Sequence, residues 1–280
     1  MAMLPVETPL VAADGHRFPL RVFSPPGARA GLLWVPALGV PAQKYDRFAA
    51  TLAQAGVAVA VHEWRGIGGS ALRARRGVDW GYAELLGQDL PASVAALDPA
   101  LRWRFGGHSL GGQFAAMAAA LSPARCAGLV LVATGVPDAR TFPAWERVLI
   151  SAFARLLPPL TRAAGYYPGH RLGFAGREAG QLMRDWASTV RTGVYSGYGT
   201  GRPLEARLRE LAVPVLALRF LHDWFVPEAS LQGLVAKLGA GPRRWELFDD
   251  ARLGARSDHF RWMREPGAVA PVVAEWLLSP

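Results

Sequence analysis

Strand-like apolar segments alternate with helical patterns along most of this chain, and this alternation restricts the fold more than any other feature. The strand-like segments cover residues 31–35, 57–61, 102–106 and 129–133, and the helical patterns cover residues 41–55, 82–97 and 110–121. Strands that alternate with helices form a mostly parallel sheet covered on both faces. The sequence therefore predicts an α/β fold, and its 280 residues suffice for one sheet domain.

The rest of the chain extends this sheet and interrupts it once. Residues 11–16 are predicted to form a strand that ends in an Asp-Gly turn, and residues 18–23 return as its hairpin partner. Strands are also predicted at residues 213–220 and 244–248, and helices at residues 228–238 and 267–278. The stretch between, residues 137–211, has no convincing strand and is helical and aromatic. The predicted division is a core, residues 1–136 and 212–280, with residues 137–211 inserted after the sixth strand as a helical cap.

A tight turn is predicted between the strand at residues 102–106 and the following helix. Its sequence, Gly107-His108-Ser109-Leu110-Gly111-Gly112, matches the G-x-S-x-G pattern of a nucleophile elbow. Only small residues fit two positions either side of the serine, whose hydroxyl is lifted above the edge of the sheet. Ser109 is therefore the predicted nucleophile. The alternative is a glycine-rich turn in which Ser109 only caps the helix.

Further segments match a known family together with this turn. They are residues 45–49 (YDRFA), 63–70 (EWRGIGGS), 167–174 (YPGHRLGF), 185–186 (DW), 222–227 (HDWFVP) and 259–260 (HF). With them, nearly the whole chain resembles the α/β-hydrolase superfamily. It is most similar to the serine-aminopeptidase and monoacylglycerol-lipase-like group, and within it to a bacterial branch of predicted hydrolases. The resemblance implies the α/β-hydrolase fold and a catalytic triad. Glu63 departs from it, because the superfamily usually has Asp there, and we expect that loop to be structural.

A serine nucleophile needs an imidazole to accept its proton and a carboxylate to orient that imidazole. In this fold the chain order is serine, acid, histidine. Of six histidines, only His259 follows the last predicted strand, in a loop before the final helix, so it is the predicted base; otherwise it is a surface loop residue. Asp223, which follows the strand at residues 213–220, is the predicted acid. Asp249 and Asp250 remain rivals because they also follow a strand.

An oxyanion hole requires two N–H groups that converge where negative charge develops. One is predicted to be the backbone N–H of Leu110. The other is predicted to come from the loop after the third strand, where either Ala37 or Leu38 supplies it. Backbone donors do not depend on side-chain identity, so the sequence leaves both candidates open.

Composition argues against several other functions. The formal net charge is +9, and all but Lys44 and Lys237 of the 31 basic residues are arginine. The densest basic run, residues 73–76, is short and lacks interleaved aromatic residues, so we predict no nucleic-acid partner. A metal site built from residues 222–223, 258–259 and 249–250 lacks a recognised ligand spacing. No phosphate-binding loop with a lysine occurs either, so no metal or cofactor is predicted.

The sequence also predicts a location and a substrate class. Cys126 is the only cysteine, the N-terminus does not resemble a signal peptide, and the most apolar helical stretch, residues 148–160, is too short to span a bilayer. We therefore predict a cytoplasmic protein without stable membrane insertion, in an undetermined oligomeric state. The predicted activity is cleavage of a small or medium lipophilic ester or thioester through an acyl-enzyme on Ser109. The alternatives are an acyltransferase or amidase on the same triad, and a non-catalytic ligand-binding protein.

Overall fold

The computed structural model describes residues 3–279 and is built around an eight-stranded sheet. Its strands are β1 (Val6–Val11), β2 (Arg17–Phe23), β3 (Ala30–Val35), β4 (Val57–His62), β5 (Trp103–His108), β6 (Leu129–Val132), β9 (Val215–Phe220) and β10 (Arg243–Phe248). Their order across the sheet is β1-β2-β4-β3-β5-β6-β9-β10, and only β2 runs in the opposite direction to the other strands. This mostly parallel arrangement confirms the predicted α/β-hydrolase fold.

Helices cover both faces of the sheet. They are α1 (Asp46–Gln54), α2 (Tyr82–Glu84), α3 (Leu90–Ala95), α4 (Leu110–Leu121), α5 (Ala144–Ala164), α6 (Gly169–Leu172), α7 (Gly180–Thr192), α8 (Leu204–Glu210), α9 (Glu228–Val235), α10 (Asp250–Leu253), α11 (Arg261–Arg264) and α12 (Val269–Leu278). Every residue of β3, β4, β5 and β6 is buried, because α1 and α12 pack on one face while α3, α4, α8 and α9 pack on the other. None of the helices in residues 3–279 is long and apolar enough to cross a membrane.

Two local predictions need correction. The first strand is Val6–Val11 rather than residues 11–16, of which residues 12–16 form the turn; it carries Glu7, Thr8 and Pro9, which an edge strand tolerates. The helix predicted at residues 82–97 is α2 and α3 joined by one wide turn, residues 85–89, in which the Leu90 N–H bonds to the Leu85 carbonyl. Such a turn accommodates the missing N–H of Pro91.

The segment between β6 and β9 forms a second, smaller layer of helices. Helices α5 and α7 pack together around their own apolar cluster, which includes Ala154, Leu157 and Met183. The segment also contains a hairpin of two-residue strands, β7 (Tyr167–Pro168) and β8 (Arg177–Glu178), too short to leave a strand pattern in the sequence. Helix α8 instead packs against α4, so the C-terminal part of the segment contributes to the core around the sheet.

Candidate active site

Ser109 lies at the sharp turn between β5 and α4, where the sequence predicts a nucleophile elbow. Its φ of 55° and ψ of −125° place a non-glycine residue in a strained conformation that is uncommon outside functional sites. A side chain on Gly107 would collide with the backbone of Gly111, and one on Gly111 would collide with the carbonyl oxygens of Val35 and Pro36. Both positions therefore require glycine, as expected for this tight turn.

His259 and Asp223 meet beside this turn, although 36 residues separate them in sequence. Nδ1 of His259 lies 2.8 Å from Oδ2 of Asp223, and both side chains are buried. The other carboxylate oxygen, Oδ1, accepts the backbone N–H groups of Phe225 and Val226 at 2.9 and 3.2 Å. Asp223 is therefore held in a fixed orientation, which suits a carboxylate that positions an imidazole.

The two rival carboxylates have other partners. Asp249 caps α10 by accepting the Arg252 N–H at 2.8 Å, and Asp250 accepts both the backbone N–H and the hydroxyl of Ser257 at 2.7 Å. Hydrogen bonds from Ser257 lower the pKa of Asp250, so this exposed carboxylate stays ionised while it holds the loop before His259. The geometry thus favours Asp223 over both as the partner of His259.

The loop after β3, residues 36–39, which the sequence predicts to supply an oxyanion donor, is held by side chains beneath it. The phenolic oxygen of Tyr45 accepts the Ala37 N–H at 3.0 Å and lies 2.8 Å from Nδ1 of His108, and the Trp64 indole N–H donates to the Pro36 carbonyl at 3.0 Å. Burial raises the pKa of Tyr45 and, with the neighbouring His259, lowers the pKa of His108. Tyr45 therefore keeps its proton beside a neutral His108.

This bonding distinguishes the two candidates for the second oxyanion donor. The Ala37 N–H is already donated to Tyr45, whereas the N–H of Leu110, the first residue of α4, has no partner within that helix. Both Leu38 and Leu110 line the same cavity as Ser109. The geometry favours Leu38, with Leu110, as the pair of donors.

A cavity of about 480 Å³ opens beside Ser109 and His259. Its walls are mostly apolar and come from both the sheet domain and the segment between β6 and β9: Ala37, Leu38, Leu110, Gly135, Pro137, Phe142, Leu149, Ile150, Phe153, Gly173, Phe174, Ala175, Trp186, Trp224, Phe225, Val226 and Phe260. Among residues 3–279, hydrogen bonding joins His259 to Asp223 but not to Ser109. Catalytic hydrogen bonds often tighten only when substrate binds.

Three polar residues in this cavity were not singled out from the sequence. Gln113 follows Ser109 by one helical turn and accepts the hydroxyl proton of Tyr195 at 3.0 Å; its position four residues after the nucleophile is the signal that marks it. Glu146 is the carboxylic acid in the cavity lining, and burial raises its pKa. Ser230, the third, donates to the Val136 carbonyl, and nothing in the sequence distinguishes it.

A second arrangement of serine, histidine and aspartate lies elsewhere in the core. Nε2 of His16 is 2.9 Å from the Ser70 hydroxyl, and Nδ1 is 2.9 Å from Oδ1 of Asp89. The Ser70 oxygen also accepts the N–H groups of Gly66 and Leu72, and all three side chains are buried outside the cavity. Hydrogen bonding here stabilises the loop after β4, so triad-like distances alone do not identify a nucleophile.

Residues that are candidates for binding a metal ion or an anion lie outside the cavity or apart from one another. Within residues 3–279, no three His, Cys, Asp or Glu side chains are grouped closely enough to bind a metal ion. Arg184 pairs with Asp79 at 2.8 Å, and neither it nor Arg171 nor Arg191 lines the cavity, so none of the three offers an anion site there. Glu63 accepts the N–H groups of Ala42 and Gly69, so its loop is structural, as expected.

Solved structures with related folds include three named enzymes. An esterase from Exiguobacterium antarcticum has a TM-score of 0.64 at 14% identity, with 98% of this chain and 100% of that chain covered. A monoacylglycerol lipase from Paleococcus ferrophilus has a TM-score of 0.63 at 19% identity, covering 92% and 97% of the two chains. The thioesterase domain from the curacin biosynthetic pathway has a TM-score of 0.62 at 15% identity, covering 98% and 99%. At such low identities, these similarities show a shared fold.

The sequence comparison assigns the family. The fold is that of the α/β-hydrolases. A sequence model of the S33 serine aminopeptidases matches residues 27–252, and the chain belongs to this family of hydrolases. No curated protein has a significantly similar sequence.

Proposed function

We propose that the protein hydrolyses a small or medium lipophilic ester or thioester through an acyl-enzyme on Ser109. The observation that carries this proposal is the buried 2.8 Å contact between His259 and Asp223, on the wall of the same apolar cavity that Ser109 lines from its strained turn. A nucleophile, a base and an orienting acid next to a largely apolar pocket are the components of acyl transfer.

In the first half-reaction, the Ser109 oxygen attacks the acyl carbonyl carbon while Nε2 of His259 takes its proton. Asp223 holds Nδ1 of the imidazole, so Nε2 is free to accept, and stabilises the imidazolium that forms. The carbonyl oxygen becomes negatively charged and is stabilised by the N–H groups of Leu38 and Leu110. Collapse of this intermediate breaks the bond to the alcohol or thiol, which leaves with the proton held by His259.

In the second half-reaction, water replaces the leaving group. His259 removes a proton from the water as its oxygen attacks the acyl carbon, and the same two N–H groups stabilise the second oxyanion. The proton returns to Ser109 when the serine ester bond breaks and the free acid leaves. No metal or cofactor takes part in this scheme.

The cavity supports a lipophilic acyl group. We propose that residues 137–211 act as a cap on a core formed by residues 1–136 and 212–280, chiefly through α5, α6 and α7, whose region supplies Ile150, Phe153 and Phe174 to the cavity wall. A cap excludes water and restricts entry, which disfavours polymeric substrates. The mostly apolar lining offers few polar groups to bind a peptide backbone, which favours an ester or thioester over a peptide.

The decisive experiment measures kcat/KM for activated esters of increasing acyl length, with a thioester and an amide of the best acyl group. We expect a maximum at one acyl length, slower cleavage of the amide, and no cleavage of intact protein. Ser109→Ala serves as the control for contaminating activity. A flat profile or efficient cleavage of intact protein would refute the capped apolar pocket, and failure of a fluorophosphonate to label the wild type would favour a non-catalytic ligand-binding protein.

A further inference from the structure

One face of α5 is turned away from the rest of the protein and is apolar. Trp145, Val148, Leu149 and Leu156 on this helix are 57–67% exposed, whereas Ala154, Leu157 and Thr161 on its opposite face are buried. The exposed positions repeat every seven residues, close to two helical turns, and form the adjacent rows 145-152-159 and 149-156-163. We call Trp145, Val148, Leu149, Ala152, Leu156 and Pro159 the α5 face.

Arginines border the α5 face along one edge. Arg155 and Arg162 continue the seven-residue row that starts at Val148, and both are exposed. Among residues 3–279, neither has a carboxylate within 4 Å. The only acidic residue of α5 is Glu146, which lines the cavity instead. The helix therefore presents an apolar stripe with an unpaired cationic edge.

The α5 face is continuous with the entrance of the cavity. Leu149 belongs to both, since it lines the cavity and is largely exposed. Trp224 and Phe260, on the loops that follow β9 and α10, also line the cavity and are exposed. Exposed apolar surface of this extent rarely occurs on a protein without a binding role.

We propose that the α5 face docks the protein onto the surface of an anionic lipid bilayer. Trp, Val and Leu side chains on one side of a helix, with arginines beside them, are the composition of helices that lie in the interface of a membrane. Trp145 is suited to the headgroup region, and the arginines attract anionic headgroups while their stems extend along apolar surface. The helix lies on the bilayer, and the cavity entrance faces the lipid.

The arginines favour a bilayer over a second copy of the chain as the occupant. In a symmetric dimer built on this face, Arg155 and Arg162 would lie against α5 of the other copy, whose exposed side offers no carboxylate to pair with them. Anionic headgroups supply the complementary charge. This inference does not depend on the proposed function, because binding needs no turnover.

Co-sedimentation with phosphatidylcholine vesicles, with or without phosphatidylglycerol, tests the proposal. We expect the wild type to bind the anionic vesicles, and Trp145→Gln with Leu156→Gln to lower the partition coefficient by at least about ten-fold. The matched control is Val6→Gln with Val11→Gln, which removes similarly exposed side chains from the edge strand β1 and should change binding less than about two-fold. The melting temperature and labelling of Ser109 show whether each variant is folded.

A second pair of variants tests the charge. Arg155→Gln with Arg162→Gln should weaken binding to anionic vesicles by roughly five-fold per arginine, less at high salt. Arg29→Gln with Arg102→Gln has the same net charge but changes exposed arginines just before β3 and β5. They lie at the amino ends of these strands, opposite the ends that lead to the cavity, so this variant should bind as the wild type does. The proposal is overturned if anionic vesicles are not bound or if each variant and its control lose binding equally. It is also overturned if analytical ultracentrifugation shows a dimer that the Trp145 and Leu156 changes dissociate.

Discussion

The hydroxyl of Tyr45 accepts the backbone N–H of Ala37, which lies in the loop beside the nucleophile. This bond ties the loop after β3 to the floor of the site, because Tyr45 in turn contacts His108, the residue before Ser109. It also engages one of the two N–H groups that the sequence leaves as candidates for the oxyanion hole. Tyr45 is thus a positioning residue for the loop.

Tyr45→Phe should lower kcat by about ten-fold with little change in KM, because the unpaired Ala37 N–H loosens the loop without removing a substrate contact. Steady-state kinetics with the preferred ester check this. Tyr82→Phe is the matched control, since the Tyr82 hydroxyl is fully buried and has no hydrogen-bond partner among the described residues. An equal loss of kcat in both variants would show a general packing effect instead.

Ser109→Ala should abolish fluorophosphonate labelling and leave the melting temperature nearly unchanged, because the hydroxyl caps no helix. Ser70→Ala, in the buried second arrangement, should keep the labelling but lower the free energy of unfolding by about 1–3 kcal/mol, because two backbone N–H groups lose their acceptor. Labelling measured by mass spectrometry distinguishes the two serines. Labelling that persists without Ser109 contradicts the assignment.

Asp223→Asn should reduce kcat by about four orders of magnitude, because the amide favours the wrong tautomer of the imidazole. Asp249→Asn should have almost no effect, since Asn caps a helix as well as Asp does. Asp250→Asn should mainly lower stability through the Ser257 loop. If Asp250→Asn inactivates the enzyme while Asp223→Asn does not, the acid is misassigned.

Stability should fall as the pH falls from about 6.5 to about 4. Burial lowers the pKa of His62 from the ordinary 6.5 to about 4, so in this window the unfolded chain binds a proton that the folded chain does not. The difference amounts to about 3 kcal/mol of unfolding free energy, present above pH 6.5 and lost by pH 4. Urea unfolding of the wild type and of His62→Asn, which keeps a partner for Ser93, should show a shallower pH dependence in the variant. Identical slopes would contradict this.

Much of the fold was predictable because it depends on local patterns. The order of strands and helices follows from hydrophobic periodicity. The position of the elbow follows from its glycines, because the turn has no room for side chains at those positions. The displaced first strand shows the limit of this reasoning: β1 lies at the sheet edge, where weak burial leaves little apolar alternation. The hairpin of β7 and β8 was missed because two-residue strands leave no periodic signal.

The order of the three site residues along the chain was predictable, but the contacts between them were less so. Family resemblance pointed to Ser109, Asp223 and His259, but three carboxylates fitted the rule of an acid after a strand. The sequence also led to His259 among the six histidines, but it did not reveal that His16 forms a buried hydrogen bond with Ser70. Interatomic distances in the folded chain distinguish the three carboxylates, and access to the cavity distinguishes the two arrangements of serine and histidine.

The sequence by itself determined the alternating sheet, the position of the turn that carries Ser109, and the apolar character of the inserted segment, because each depends on residues that are neighbours along the chain. Only the tertiary structure decided that Asp223 rather than Asp250 meets His259, and that Tyr45 occupies the N–H of Ala37. Both contacts are made between loops that come from distant parts of the chain. Whether two such loops lie within hydrogen-bonding distance depends on the whole fold, and a local sequence pattern cannot predict it.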